Sequence, residues 1–306
     1  MPWNRAARYL DQARMRRSVG EHKSAEDMVR KALSIAPELP EAHAMMALVL
    51  CDQEMKRDAG AAIATALEYD PNDPFVRYVA GLVALKRRDF LNSKAHFEAA
   101  LALDQDDPIH YVGLATVYWN MDKDKKAHDL IDQARAIDPE NLCVAILRTE
   151  LLLEQGRIKE AEAEAEHALG IAPEDPDACV LMAKIRLRQN RLAEAKEHAV
   201  YALMKNPRDH DVLTTLVWIK SRENPLMAVW WRLYPFIHLR MKSQIAAFFL
   251  FFFTLVLLKN VIPDDTVKAM IGFAIIGLAA VIYLGYAAIE VMIRRELKAA
   301  KISADF

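Results

Sequence analysis

The stretch HALGIAPEDPDA, residues 167–178, has the pattern of a helix that ends in a proline-containing loop. The same order of residues occurs in KALSIAPELPEA, residues 31–42, and in TALEYDPNDPFV, residues 65–76. Repetition of one terminus along a chain indicates stacked structural repeats, each of which contributes the same pair of elements. This terminus therefore decides the fold, and its prolines give the period.

The prolines of this terminus follow a 34-residue period over the first two thirds of the chain. Proline cannot continue the hydrogen-bond ladder of a helix, and it holds the preceding residue in extended geometry. We therefore interpret each proline as the end of the second helix of a helical hairpin. The series consists of Pro37, Pro71, Pro139, Pro173 and Pro207, and Gln105 occupies the one place where the proline is missing.

Small side chains keep the same 34-residue period at three places before each proline position. Two helices approach closely only where their side chains are small, so these positions predict the contacts within and between hairpins. The series in the first helix is Ala13, Ala47, Gly81, Ala115, Thr149 and Ala183. The two series in the second helix are Ala25, Ala59, Ser93, Ala127, Ala161 and Ala195, and Ala32, Ala66, Ala100, Ala134, Ala168 and Ala202.

A 34-residue helical hairpin with small residues at three set places and a terminal proline resembles the tetratricopeptide repeat family. The resemblance implies an all-α fold, a right-handed superhelix of six helix-turn-helix repeats at residues 6–209, closed by a capping helix at residues 210–224. Four residues depart from the pattern. In the first repeat Gln12 and Arg16 replace expected apolar residues, as a polar end of the solenoid requires. Arg135 replaces the leucine that the other repeats carry, and Arg148 replaces an expected apolar residue.

The resemblance also implies a concave face, lined by the first helices, where members of the family bind an extended peptide or a partner helix. In that register the candidate contact residues of the third and fourth repeats are Phe75, Tyr78, Leu82, Leu85, Lys86, Ile109, Val112, Thr116, Trp119 and Asn120. Trp119 and Tyr78 are the strongest candidates, because aromatic side chains concentrate binding energy at interfaces. An apolar stripe at helical spacing can equally belong to the core, and that alternative stays open.

Composition and motifs argue against other classes of protein. With 40 Lys and Arg against 42 Asp and Glu, the chain has no basic excess that would indicate nucleic acid as a partner. The cysteines are isolated, and the common catalytic and nucleotide-binding motifs are missing, so we expect no enzyme activity, no cofactor and no metal. We interpret the acidic run EAEAEAEH, residues 160–167, as solvated helix surface, together with His96, His128, His167 and His198.

Residues 225–306 carry two long apolar runs of a kind that the repeats lack. The first covers residues 245–262 and the second residues 269–289, and each is near the length that crosses a bilayer. The short loop between them contains Pro263, so residues 244–293 are predicted to form a hairpin of two transmembrane helices. A buried globular helix is the alternative for the first run, which is the shorter of the two.

The flanks of this hairpin predict its orientation. Residues 225–243 mix aromatic and basic side chains, which favour the headgroup zone, and residues 294–306 form a basic tail. The positive-inside rule places both termini in the cytoplasm, and the N-terminus lacks the apolar stretch of a signal peptide. We therefore expect a multi-pass protein of the bacterial inner membrane. The predicted interfacial residues are Trp230, Trp231, Arg232, Tyr234, Arg240, Lys242, Arg294 and Arg295.

Two functional hypotheses follow. In the first, the protein is a membrane-anchored scaffold or adaptor that binds a protein partner through the concave face of the repeats. In the second, it is an accessory or regulatory subunit of an integral membrane complex for transport or envelope synthesis, in which the hairpin makes the specific contacts. Residues 245–258 and 269–289 contain no basic or acidic side chain. Since pathways for ions and protons usually need such groups inside the membrane, transport by this chain itself is not expected.

Overall fold

A computed structural model describes residues 2–205, 209–223 and 291. This part of the chain contains thirteen α-helices and no strand, which confirms the all-α class. The helices are α1 Pro2–Ser18, α2 His22–Ile35, α3 Pro40–Asp52, α4 Lys56–Tyr69, α5 Pro74–Lys86, α6 Phe90–Leu103, α7 Pro108–Asn120, α8 Asp124–Ile137, α9 Leu142–Glu154, α10 Ile158–Ile171, α11 Pro176–Arg188, α12 Leu192–Lys205 and α13 His210–Glu223.

The first ten helices form five consecutive hairpins, from α1 with α2 to α9 with α10. The helices α1, α3, α5, α7, α9 and α11 are called first helices below. Those from α1 to α9 contact one another in chain order, and each second helix from α2 to α8 contacts the first helix that follows it. Every residue of the three small-residue series is buried, as close approach of helices requires. The periodic positions read from the sequence are therefore the positions at which the hairpins pack.

Each first helix, from α1 to α11, is followed by a residue with left-handed backbone geometry. The residues recur every 34 positions, and they are Gly20, Glu54, Arg88, Asp122, Gly156 and Asn190, with φ between 57° and 76°. At each one, the N–H groups of the left-handed residue and of the next residue donate hydrogen bonds to carbonyls in the last turn of the helix. In the third repeat, Arg88 N donates to Leu85 O and Asp89 N donates to Ala84 O, both at 2.9 Å. This geometry satisfies terminal carbonyls and turns the chain into the second helix.

Side chains also fix the loops between hairpins. Asp73 caps α5 and Asn141 caps α9 by accepting hydrogen bonds from backbone N–H groups of the first turn. The carbonyl of Pro37 lies 2.7 Å from His43 Nε2, and the carbonyl of Pro71 accepts a hydrogen bond from Arg77 Nε at 2.5 Å. The loops therefore hold successive hairpins at a fixed spacing by hydrogen bonds as well as by proline.

The acidic run at residues 160–167 is not solvated throughout, which corrects the interpretation from sequence. Glu164 is only 8% exposed, and its Oε2 lies 3.1 Å from Arg135 Nη1 and 3.3 Å from Arg148 Nε. Arg148 also pairs with Asp132 at 2.5 Å. Arg135 and Arg148, which depart from the repeat pattern, thus neutralise one buried carboxylate. In the sequence, Arg135 and Arg148 are two unrelated departures from the repeat, and nothing there indicates that they share a partner.

The chain divides into two compact units after Ile185. In the second unit α13 packs against α12, and Arg222 Nη1 donates a hydrogen bond to Leu187 O at 2.6 Å. Val212, Leu216 and Ile219 of α13 are buried. This helix occupies the range in which the sequence predicts a capping helix.

The predicted interfacial segment, the two predicted membrane spans and the basic tail lie outside the described residues. The same holds for the interfacial residues Trp230, Trp231, Arg232, Tyr234, Arg240, Lys242, Arg294 and Arg295. Within the described part of the chain, no helix combines the length and the apolar character needed to cross a bilayer.

Candidate functional site

A cavity of about 210 Å³ lies between the first helices α1, α3 and α5. Its wall combines three leucines and a cysteine with three charged side chains. We call it the first-helix cavity; its lining residues are Arg17, Leu48, Cys51, Asp52, Leu82, Leu85 and Lys86. An apolar cavity with a few polar groups is the usual form of a site that accepts one side chain of a ligand.

The charged groups of the cavity are unequally engaged. Arg17 donates two hydrogen bonds to Asp52, from Nε to Oδ2 at 2.5 Å and from Nη2 to Oδ1 at 3.3 Å. His22 Nδ1 lies 3.8 Å from the same carboxylate. Lys86, in contrast, is exposed and lies 4.0 Å from Glu54, which also faces Lys56 at 3.3 Å. Lys86 is therefore the cation of this cavity most open to an incoming anionic group.

Cys51 contributes a thiol to the same cavity. Burial raises its pKa, and the negative charge of Asp52 raises it further, while Lys86 and Arg17 act in the opposite direction. The thiol is therefore protonated near neutral pH, and it contributes to the cavity as a small apolar group rather than as a nucleophile.

Three of the ten predicted contact residues line this cavity: Leu82, Leu85 and Lys86. Sequence analysis missed the matching residues of the preceding repeat, although the signal was present. Leu48, Cys51 and Asp52 each stand 34 residues before one of the three predicted residues. Extending the register by one repeat would have found them.

Phe75 and Tyr78 lie deeper than a contact surface requires. Both are partly buried and pack against the core of the first three hairpins. The ring of Tyr78 lies 5.6 Å from the ring of Phe97 and 5.8 Å from that of His110. Burial raises the pKa of Tyr78 well above its ordinary value. Tyr78 is thus held mainly by its own neighbours.

The predicted residues of the fourth repeat lie along α7. Ile109 and Val112 are partly buried, Thr116 Oγ1 donates to Val112 O, and Asn120 Nδ2 donates to Thr116 O, each at 2.8 Å. Trp119 is partly buried, and its indole Nε1 donates to Glu154 Oε2 on α9 at 3.0 Å. This bond joins two neighbouring first helices, so Trp119 connects repeats whether or not it also contacts a partner.

Comparison with known proteins gives a match to one family. The tetratricopeptide repeat family model matches residues 152–219. No curated protein matches the chain significantly in sequence. The family match runs from the end of α9 into α13, which includes repeats whose prolines define the period.

Solved structures extend the likeness to most of the described helices. TTC0263, a tetratricopeptide protein of Thermus thermophilus, has 20% identity and a TM-score of 0.52, over 56% of this chain and 94% of that one. Yeast Tom70 has 19% identity and a TM-score of 0.53, over 81% of this chain and 52% of Tom70. PilW, a type IV pilus biogenesis factor, has 16% identity and a TM-score of 0.51, over 69% of this chain and 98% of that one.

At these identities the solved structures establish the fold alone. The family match at residues 152–219 and the solved structures together support a tetratricopeptide-like helical solenoid for the described residues.

Proposed function

We propose that the protein is a non-catalytic scaffold that binds a protein partner through the first-helix cavity. The cavity is the observation that carries the proposal. It offers apolar walls from Leu48, Leu82 and Leu85 at the junction of three repeats, beside the exposed cation Lys86. A tetratricopeptide-like solenoid provides such a surface by stacking repeats, and binding needs no catalytic group.

The lining defines the chemistry of the segment that would bind. A volume of about 210 Å³ admits one aliphatic or aromatic side chain. An acidic residue next to this anchor would pair with Lys86, since Arg17 is already satisfied by Asp52. The proposed ligand is therefore an extended or helical peptide with an apolar residue flanked by Asp or Glu.

We further propose that residues 245–262 and 269–289 anchor this scaffold in a bacterial inner membrane, with both termini in the cytoplasm. The support is the sequence: two apolar runs with basic flanks. An anchor would confine the cavity near its partner, and confinement raises effective concentration, so a weak site would suffice.

Photo-crosslinking in native membranes tests the proposal. A photoreactive residue replaces Glu54, which is exposed at the edge of the cavity 4.0 Å from Lys86, so that Lys86 itself is kept. A second protein carries the photoreactive residue at Leu91, an apolar position on α6 that is 75% exposed. A third carries it at Phe252 in the first predicted span. We expect a dominant protein adduct from position 54 that is absent from position 91.

The charge-reversing and space-filling variants make the result specific. Lys86→Glu should abolish the adduct from position 54 because it repels the acidic flank, and Leu82→Trp should abolish it because it fills the cavity. Adducts from position 252 alone would overturn the cavity proposal. They would support the second hypothesis, a subunit of a membrane complex in which the hairpin makes the specific contacts.

A further inference from the structure

Three side chains meet where α6 ends and α7 begins. Asp104 follows the last residue of α6, Asp107 caps α7, and His110 lies in the first turn of α7. A ring nitrogen of His110 and one carboxylate oxygen from each aspartate all lie within 4.8 Å of one another. One nitrogen and two oxygens thus lie close together at this loop.

His110 occupies a position where four of the other five repeats carry small apolar residues. These residues are Ala42, Val76, Val144 and Ala178, and the terminal first repeat carries the exposed Arg8. His110 is only 3% exposed, and its Nδ1 is buried without a hydrogen-bond partner. A buried polar atom without a partner is costly, so an imidazole here calls for a ligand that the other repeats do not need.

The carboxylates are oriented by the backbone, and each retains an oxygen for a ligand. Asp104 Oδ1 accepts a hydrogen bond from Asp106 N at 3.2 Å, and Asp107 Oδ1 accepts one from Ile109 N at 2.9 Å. These bonds restrain the two side chains before any ligand arrives. Ligands that are held in place in this way lose little conformational freedom on binding.

We propose that Asp104, Asp107 and His110 bind a divalent transition-metal ion of the zinc class. An imidazole nitrogen with two carboxylates suits Zn²⁺, whereas Mg²⁺ and Ca²⁺ prefer oxygen ligands alone. Tetrahedral zinc holds its ligand atoms roughly 3.4 Å apart at bond lengths of about 2.1 Å, so these three atoms, which lie within 4.8 Å of one another, would move closer together on binding. Solvent completes the coordination.

The neighbouring loop supplies a matched control. Asp70 and Asp73 stand 34 residues before Asp104 and Asp107, but the third place is Val76. Asp70 Oδ1 accepts a hydrogen bond from Asn72 N at 2.9 Å, as Asp104 does from Asp106 N. Asn in either place can still accept this bond, so Asp→Asn changes ligation and leaves the turn intact.

The test is zinc titration of the full-length protein in detergent by isothermal calorimetry, with magnesium as the comparison ion. His110→Val and Asp104→Asn should each lower the affinity for one equivalent of zinc by at least about tenfold, because each removes a direct ligand. Asp70→Asn should leave the affinity for that equivalent of zinc unchanged. The zinc-dependent rise in melting temperature should disappear in His110→Val.

Val is tolerated at this place in two other repeats, so His110→Val is expected to fold, and circular dichroism checks it. Equal zinc stoichiometry and affinity in wild type and His110→Val would overturn the proposal. Absence of zinc binding by the wild type, or equal losses in Asp104→Asn and Asp70→Asn, would overturn it as well.

Discussion

The left-handed residue that follows each first helix is the most regular single-residue feature of the described chain. Two of the six are glycine, which adopts this geometry without steric penalty, and four carry side chains. The 34-residue period places them all at the same turn. The repeat therefore requires a backbone geometry at this place and tolerates several residue types that do not favour it.

This geometry predicts opposite effects of two substitutions. Arg88→Gly should raise the free energy of unfolding by about 0.5 kcal/mol, because relief of the left-handed strain exceeds the added freedom of the unfolded chain. Gly156→Ala should lower it by about 1 kcal/mol for the converse reason, since a β-carbon at Gly156 meets no atom within 4 Å and only the backbone is strained. Urea unfolding followed by circular dichroism measures both, and the same sign for the two variants would contradict the prediction.

His96 gives a prediction about pH. Burial lowers its pKa, the positive charge of Arg77 lowers it further, and Asp89 opposes this; its Nδ1 is buried without a partner. As the pH falls below about 6.5, the unfolded chain takes up the proton first, so stability present above that pH is lost as the pH falls through the folded pKa. The loss of unfolding free energy on acidification from neutral pH through this range should be smaller in His96→Gln than in the wild type. Equal losses would contradict the assignment.

At the scale of the helices, Phe97 shows how one large side chain depends on two glycines. It is fully buried, and β-carbons built at Gly81 on α5 and Gly113 on α7 would collide with its ring, the first at 2.7 Å. The absence of side chains at Gly81 and Gly113 makes room for this ring between α5, α6 and α7. Sequence analysis found Gly81 as a small position, but it gave no indication of its large partner.

Gly81→Ala should therefore destabilise the protein by about 1–3 kcal/mol through overpacking. Phe97→Leu in the same chain should restore part of this loss, because the shorter side chain leaves room for the methyl group. Gly170→Ala is the matched control, since it lies in α10 with no atom within 4 Å, and it should be neutral or slightly stabilising. If Gly81→Ala behaves like Gly170→Ala, the close approach does not limit stability.

The ion cluster of Glu164, Arg135 and Arg148 gives the second prediction at this scale. Glu164→Gln should cost about 1–2 kcal/mol, less than for a fully enclosed pair, because the two arginines are partly exposed and screened by water. The same substitution should cost less than half as much in the double variant Arg135→Leu, Arg148→Leu. A double-mutant cycle in urea measures the coupling, and additive effects would contradict the cluster.

These elements show how far the sequence could predict the structure. The proline ladder and the small residues located the hairpins, because both encode local backbone and packing demands that repeat with one period. The pairing of Glu164 with two arginines could not be read in the same way. It depends on which side chains meet across three different helices, and single substitutions within an otherwise regular pattern do not indicate their partners. The candidate site was predicted in part. The repeat register identified the wall of the cavity on α5, and the same register applied to the preceding repeat would have identified the wall on α3.

For the whole molecule, the proposed anchor gives the last prediction. If residues 245–289 span the membrane, the protein should stay in the membrane pellet after extraction with alkaline carbonate, because such spans cannot leave the bilayer without exposing apolar surface. Deletion of these residues should move it to the supernatant with its helical circular dichroism retained. Release of the intact protein by carbonate would contradict the anchor.

Helices of residues 2–171 make their main contacts with the elements next to them or next but one along the chain. Such local contacts close small loops, which makes folding fast and allows it to proceed one hairpin at a time. Translation adds about 5–20 residues each second, far slower than hairpin formation. The repeats can thus acquire their structure on the ribosome before the apolar runs at residues 245–289 have been synthesised, so the nascent chain can present a folded solenoid when those runs emerge.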